Sequence, residues 1–139
     1  MKYRKIGNKF IVRIDKGEEV IKKITELCHL ENITLGNVSG LGAADYVKIG
    51  LFDTIKKEYN SLVIEDVMEI TSLTGNISKM NDVVYLHLHI NVSDKEMKVR
   101  GGHLNECKVS ATCELVIEKI EGHINRKFND EIGLNLYDF

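Results

Sequence analysis

The sequence predicts an α+β fold, a mainly antiparallel β-sheet system of about seven strands with one main α-helix. Three observations lead there. Only one segment, Lys16 to Ile33, repeats its apolar residues with a helical period. Most of the chain after it alternates with period two. The strand-like runs are joined by short turns, which suit antiparallel neighbours and not the long crossovers of a parallel sheet. The 139 residues match one ordinary domain, and no linker, repeat or low-complexity tract divides residues 1–139.

In chain order, a Gly7-Asn8 turn separates two short extended runs, and Phe10, Val12 and Ile14 alternate with Ile11 and Arg13. In the helical segment Val20, Ile24, Leu27 and Cys28 share one face. Glu18 and Glu19 suit its N-terminus, and Asn32 is a fitting stop. Next come Ile33 and Leu35, the glycines Gly36, Gly40 and Gly42, then Val47, Ile49 and Leu51 alternating with Lys48 and Gly50. Val67, Glu69, Thr71 and Leu73 alternate with Met68, Ile70, Ser72 and Thr74. A histidine-bearing run, Val83 to Val92, follows, and then "CKVSATCELVIEKIEGHINRKF", which reads as a long strand, a Glu121-Gly122 turn and another strand. The tail "GLNLYDF" adds a last short strand.

Several functional classes are disfavoured. The formal net charge is −2, which is not the footprint of a surface that grips nucleic acid throughout. The basic residues are scattered, as at Lys56-Lys57 and Arg126-Lys127, and lack the interleaved aromatics of a stacking platform; they read as solvated faces. No apolar run approaches the roughly 20 residues of a membrane span. The start, "MKYRKIGNKF", shows no signal-peptide pattern, so a cytoplasmic protein is expected. Cys28, Cys107 and Cys113 are odd in number and have no Cys-x-x-Cys spacing, and they read as buried free thiols.

The segment "YLHLHINVSDKEMKVRGGHL" holds the main chemistry. Leu86, Leu88 and Ile90 face the core, so Tyr85, His87, His89 and Asn91 face the other way. The two histidine Cβ atoms then lie about 7 Å apart. If the polar turn from Ser93 to Val99 closes symmetrically about Glu96, His103 comes directly opposite His89, on the same face. Three neutral imidazoles so gathered bind zinc or a similar divalent metal and leave a coordination position open. Gly101 and Gly102 would let backbone approach closely, and a bulge there would re-aim His103. A one-residue slip in the turn would send His103 to the other face.

Two further polar residues are candidates. Glu69 would complete the metal shell or serve as a general base. Arg100 would hold a substrate carboxylate. "GLGAAD", Gly40 to Asp45, lacks the third glycine and the βαβ setting of a nucleotide fingerprint, so its glycines read as turns or tight packing.

The same residues resemble the signature of the PPC (plants and prokaryotes conserved) domain, in which a His-x-His strand is followed by a turn and Gly-Gly-His. "EITSLTGNIS" resembles the family's Glu-Ile-x-Ser-Leu-x-Gly strand, and "GNVSGLGAADYVKIGLFD" and "CKVSATCELVI" resemble further segments. The likeness spans roughly Phe10 to Lys127. It implies a β-sheet unit of about seven strands with one main helix, assembled as a homotrimer. It also implies that His87, His89 and His103 are the metal-binding set. The family is widely described as DNA-binding. In its plant members a separate Arg-Gly-Arg-Pro hook enters the minor groove, and this chain has no proline and no such hook. The fold is also distantly similar to zinc-dependent acetolactate decarboxylase, which implies the alternative of a zinc-dependent small-molecule-binding protein or a lyase- or hydrolase-like enzyme.

Overall fold

The computed structural model describes residues Met1–Phe139. Nine strands and one helix follow one another as β1 (Lys2–Ile6), β2 (Lys9–Asp15), α1 (Val20–Leu30), β3 (Gly36–Asp53), β4 (Glu58–Ile64), β5 (Met68–Met80), β6 (Val83–Ser93), β7 (Val99–Lys119), β8 (Asn125–Asn129) and β9 (Leu134–Asp138). All form one sheet in the order β1-β2-β7-β3-β5-β8-β9, with β4 also on β3. β6 lies between β5 and β7, so β3, β5, β6 and β7 form a closed circuit of hydrogen-bonded neighbours. Every pairing is antiparallel except that of β5 with β8, which meets at Lys79 and Asn125.

The strand count corrects the expectation of about seven. β4 hides its signal because residues Glu58 to Val63 are exposed on both faces, so no buried alternation marks it. A second correction concerns β5. Alternation places Leu73 with Val67, Glu69 and Thr71, but a bulge between Ile70 and Ser72 shifts the register against β6. The buried face therefore runs Met68, Ile70, Leu73, Ile77, and Val67 is 74% exposed.

The helix is as the sequence predicts. Glu19 caps it, accepting from the backbone N–H of Ile21 (3.2 Å) and Lys22 (2.7 Å), and the same carboxylate accepts from Cys107 N–H on β7 at 3.1 Å. Asn32 takes a left-handed φ of 50°, and Ile33 N–H donates back to Cys28 C=O at 2.9 Å, closing the C-terminus. Val20, Ile24, Leu27 and Cys28 are buried and join a single cluster of 26 apolar side chains. Cys107 and Cys113 belong to the same cluster, and all three thiols are free. Burial pushes the Cys28 and Cys113 thiols up to about 12 and raises Cys107 as well. They are structural side chains, as expected. No helix is long and apolar enough to cross a membrane.

Candidate metal centre

The site is built on the β6–β7 hairpin. Leu88, Ile90 and Val92 are buried in the core, which leaves His87, His89 and Asn91 on the opposite face of β6. The connecting loop is fixed by Asp94, whose Oδ1 accepts from Glu96 N–H (2.9 Å) and Lys98 N–H (3.1 Å). Those backbone N–H bonds, Lys98 first, hold its carboxyl below the usual carboxylate range against the opposing effect of burial. Met97 takes a left-handed φ of 62°, and its N–H donates to Asp94 C=O at 2.9 Å. Ser93 therefore faces Val99, and counting back four residues on each strand places His89 opposite His103. The symmetric closure read from the sequence is the one observed.

The ladder from Ser93 to His89 runs without a register shift, so Gly101 and Gly102 form no bulge against β6. Their role is close approach. A Cβ at Gly101 would lie 1.9 Å from Asn91 Oδ1, and one at Gly102 would lie 2.8 Å from Gly50 C=O. The bulge falls three residues after Gly102, where Lys48 pairs with Glu106 and Ile49 with Leu104, leaving Asn105 as the extra residue on β7. Asn105 Oδ1 accepts from the Tyr59 hydroxyl at 2.7 Å, and that ring crosses the space a side chain at Gly50 would fill.

The three imidazoles converge. Ring centroids are 5.2 Å apart for His87 and His89, 5.4 Å for His87 and His103, and 5.6 Å for His89 and His103. Their ligating atoms all lie within 4.8 Å of one another, and no cysteine or carboxylate joins the group. In a tetrahedral site with bonds of about 2.0–2.1 Å, the nitrogens sit about 3.4 Å apart, so modest ring rotations complete the set. Burial, then the Arg126 charge, then the other two histidines lower the His87 pKa; burial and then His89 lower that of His103. Both rings are thus kept neutral, as metal binding requires. The residues present fit a three-histidine metal centre.

The histidines line a cavity of about 480 Å³. Gly50, Leu51 and Phe52 of β3 and Tyr59 of β4 form one side; Tyr85 stands beside His87; Arg126, Leu134, Asn135 and Leu136 of the β8–β9 hairpin form the other. Glu69 and Arg100 are not among the lining residues. Glu69 is exposed and sits opposite Ser93. Arg100 lines a separate polar groove of about 290 Å³ with Asp66, Asp94 and Lys98.

Arg126 is the residue that sequence reading missed. It reads there as part of a solvated basic pair, yet it is only 8% exposed. Its Nε donates to Ser78 Oγ, its Nη1 to Asn135 C=O and its Nη2 to Asn76 Oδ1, each at 2.8 Å. Its guanidinium lies 4.9 Å from the Tyr85 ring centroid and 4.3 Å from that of Tyr137.

The model of the Plants and Prokaryotes Conserved (PCC) domain matches residues 1–121. This chain belongs to that family. No curated protein matches it. Among solved structures, one from Bacteroides thetaiotaomicron, described as "a putative dna binding protein", is 39% identical, with a TM-score of 0.97, covering 99% of this chain and 96% of that one. A metal-containing protein from Archaeoglobus fulgidus is 31% identical with a TM-score of 0.90, and each chain is covered completely. Acetolactate decarboxylase from Bacillus subtilis is 12% identical with a TM-score of 0.54, covering 84% of this chain and 54% of that one, a likeness of fold alone.

A pH prediction follows from the two lowered histidines. Between their folded values and the ordinary value of about 6.5, the unfolded chain binds more protons than the folded one, so stability falls as pH falls through that window. Urea midpoints of the metal-free protein should drop between about pH 7 and 5, and His103→Gln should flatten that slope. Carboxylates with lowered pKa, such as Asp94, act only at lower pH. A wild-type midpoint that stays level across the window would contradict the burial of these rings.

Proposed function

We propose that this protein binds a small-molecule ligand at a divalent transition metal, zinc first, held by His87, His89 and His103. The observation behind this reading is the meeting of three imidazoles in a cavity of about 480 Å³ with no fourth protein ligand. Structural zinc sites are usually closed by four protein ligands, whereas an open position marks ligand-binding or catalytic metals. A metal bound here would supply Lewis acidity toward a carbonyl or a lowered pKa for a bound water. The apolar residues Leu51, Phe52, Leu134 and Leu136 would enclose the body of the ligand. The metal-containing relative from Archaeoglobus fulgidus supports the metal. A lyase- or hydrolase-like activity is the catalytic form of this reading, and fold likeness does not by itself carry it.

Metal analysis tests it directly. The wild type should hold about one metal per chain, and His89→Ala none, with the circular dichroism spectrum unchanged because Leu88 and Ile90 are untouched. Acidification should release the metal below about pH 6.5, since the lowered imidazole values delay protonation. A wild type that takes up no zinc, cobalt or manganese from micromolar solution ends the reading.

A second reading, DNA binding, is favoured by the description of the Bacteroides relative. With a net charge of −2 and no proline-bearing hook, such binding should be weak, mainly electrostatic, and lost steeply as salt rises. Nanomolar affinity for one duplex sequence at physiological salt, with random duplex far weaker, would make DNA the primary ligand instead.

We also propose self-association as a homotrimer, which the family resemblance implies. Exposed apolar side chains support it: Leu51 is 65% exposed and Ile55 92%, with Leu62 and Val63 on neighbouring β4. Sedimentation equilibrium at micromolar concentration should give three times the chain mass; a single-chain mass would refute the trimer.

A further inference from the structure

Arg126 is the one permanently charged side chain that lines the histidine cavity. No ion pair in the structure includes it. All three of its hydrogen-bond acceptors, Ser78 Oγ, Asn76 Oδ1 and Asn135 C=O, are neutral. A guanidinium keeps its charge at any ordinary pH, and burying it without a counter-anion is costly. The surroundings nevertheless fix it firmly. Residues of β5 and β9 hold its nitrogens, and the Tyr85 and Tyr137 rings lie against its carbon. Of its five N–H groups three are engaged, which leaves one on each terminal nitrogen without a protein acceptor. Arg126 lines the same cavity as His87, His89 and His103.

A fixed, desolvated cation with two spare donors, in a cavity whose other walls are neutral imidazoles, apolar side chains, two tyrosines and Asn135, is a receptor for an anion. We infer that Arg126 holds the carboxylate of a small, otherwise apolar acid, whose remaining atoms lie over His87, His89 and His103. Carboxylate is favoured over phosphate for two reasons. No lysine or second arginine lines the cavity to share a second negative charge, and Leu51, Phe52, Leu134 and Leu136 suit a hydrocarbon body. The inference rests on the reading of this cavity as a ligand site, and it assigns the acid-recognising role to Arg126 in place of Arg100, which lines the other groove. Arg126 lies beyond the stretch matched by the family model.

The test uses the whole chain, labelled with nitrogen-15, both zinc-loaded and metal-free. Butyrate, butyramide and inorganic phosphate are titrated while the Arg126 Nε–H resonance and the cavity backbone resonances are followed. Butyrate should shift the Arg126 signal and bind about tenfold or more tightly than its neutral amide and than phosphate. Arg126→Gln should abolish that preference while keeping metal stoichiometry, and Arg126→Lys should restore part of it. Wild type binding butyrate and butyramide alike, or an Arg126 resonance that stays still while other cavity signals move, overturns the inference. If the glutamine variant does not fold, the wild-type comparison still decides. The two readings fail separately: zinc bound without acid preference removes this inference alone, whereas acid preference without zinc uptake removes the metal reading and leaves Arg126 as an acid receptor.

Discussion

The register of the β6–β7 hairpin is the constraint on which the site depends. His89 and His103 meet because Ser93 faces Val99 across a five-residue loop. A slip of one residue would exchange the two faces of β6, bringing Leu88, Ile90 and Val92 out of the core and His87 and His89 in. At about 1.5–3 kcal/mol for each buried aliphatic side chain, that exchange opposes the slip by on the order of 5–9 kcal/mol. Hydrophobic burial on one face therefore fixes the position of the polar chemistry on the other. Asp94 adds a local lock, since its carboxylate satisfies two loop N–H groups that a longer or shorter loop would leave open.

The rest of the sheet converts that register into a cavity. β7 is shared, pairing with β6 at its start, β3 along most of its length and β2 near its end. His103 is the residue where two of these ladders meet, opposite both His89 and Gly50. Small residues are required there, because Gly50 yields its side-chain space to the Tyr59 ring and Gly102 lies against the Gly50 carbonyl. Between His89 and Ser93 the histidine strand is paired on both sides, with β5 and with β7, which limits the ways the His89 ring can be displaced. Such a largely pre-formed site would lose less entropy on taking a metal.

Much of this was legible in the sequence because it rests on period and parity. The helix, its Glu19 and Asn32 ends, the inward set on β6 and the meeting of His89 with His103 all follow from counting residues. What escaped is non-local. The bulge after Ile70 that moves Leu73 to the core side, and the bulge at Asn105, arise where three strands compete for one register. β4 has no buried alternation to betray it. Arg126 was hidden for a further reason. It is the buried position of a strand in which Phe128, two residues on, is exposed, so the hydropathy pattern of "NRKFN" points the wrong way. Its environment exists only after β8 has docked beside β5 through a single parallel pairing.

Charge balance ties the hairpin to the histidines. A metal dication at three neutral imidazoles would be repelled by the guanidinium in the same cavity, most strongly where water is excluded. Neither is relieved by a protein carboxylate, because none lines the cavity. A carboxylate held by Arg126 would also feel the field of the metal, and its affinity would rise with metal occupancy. By reciprocity the same factor would strengthen metal binding when the anion is present. On this reading the fold would separate two duties onto different parts of the chain: the β6–β7 hairpin would supply neutral donors for a metal, and the β8–β9 hairpin the fixed positive charge that selects what lies next to it.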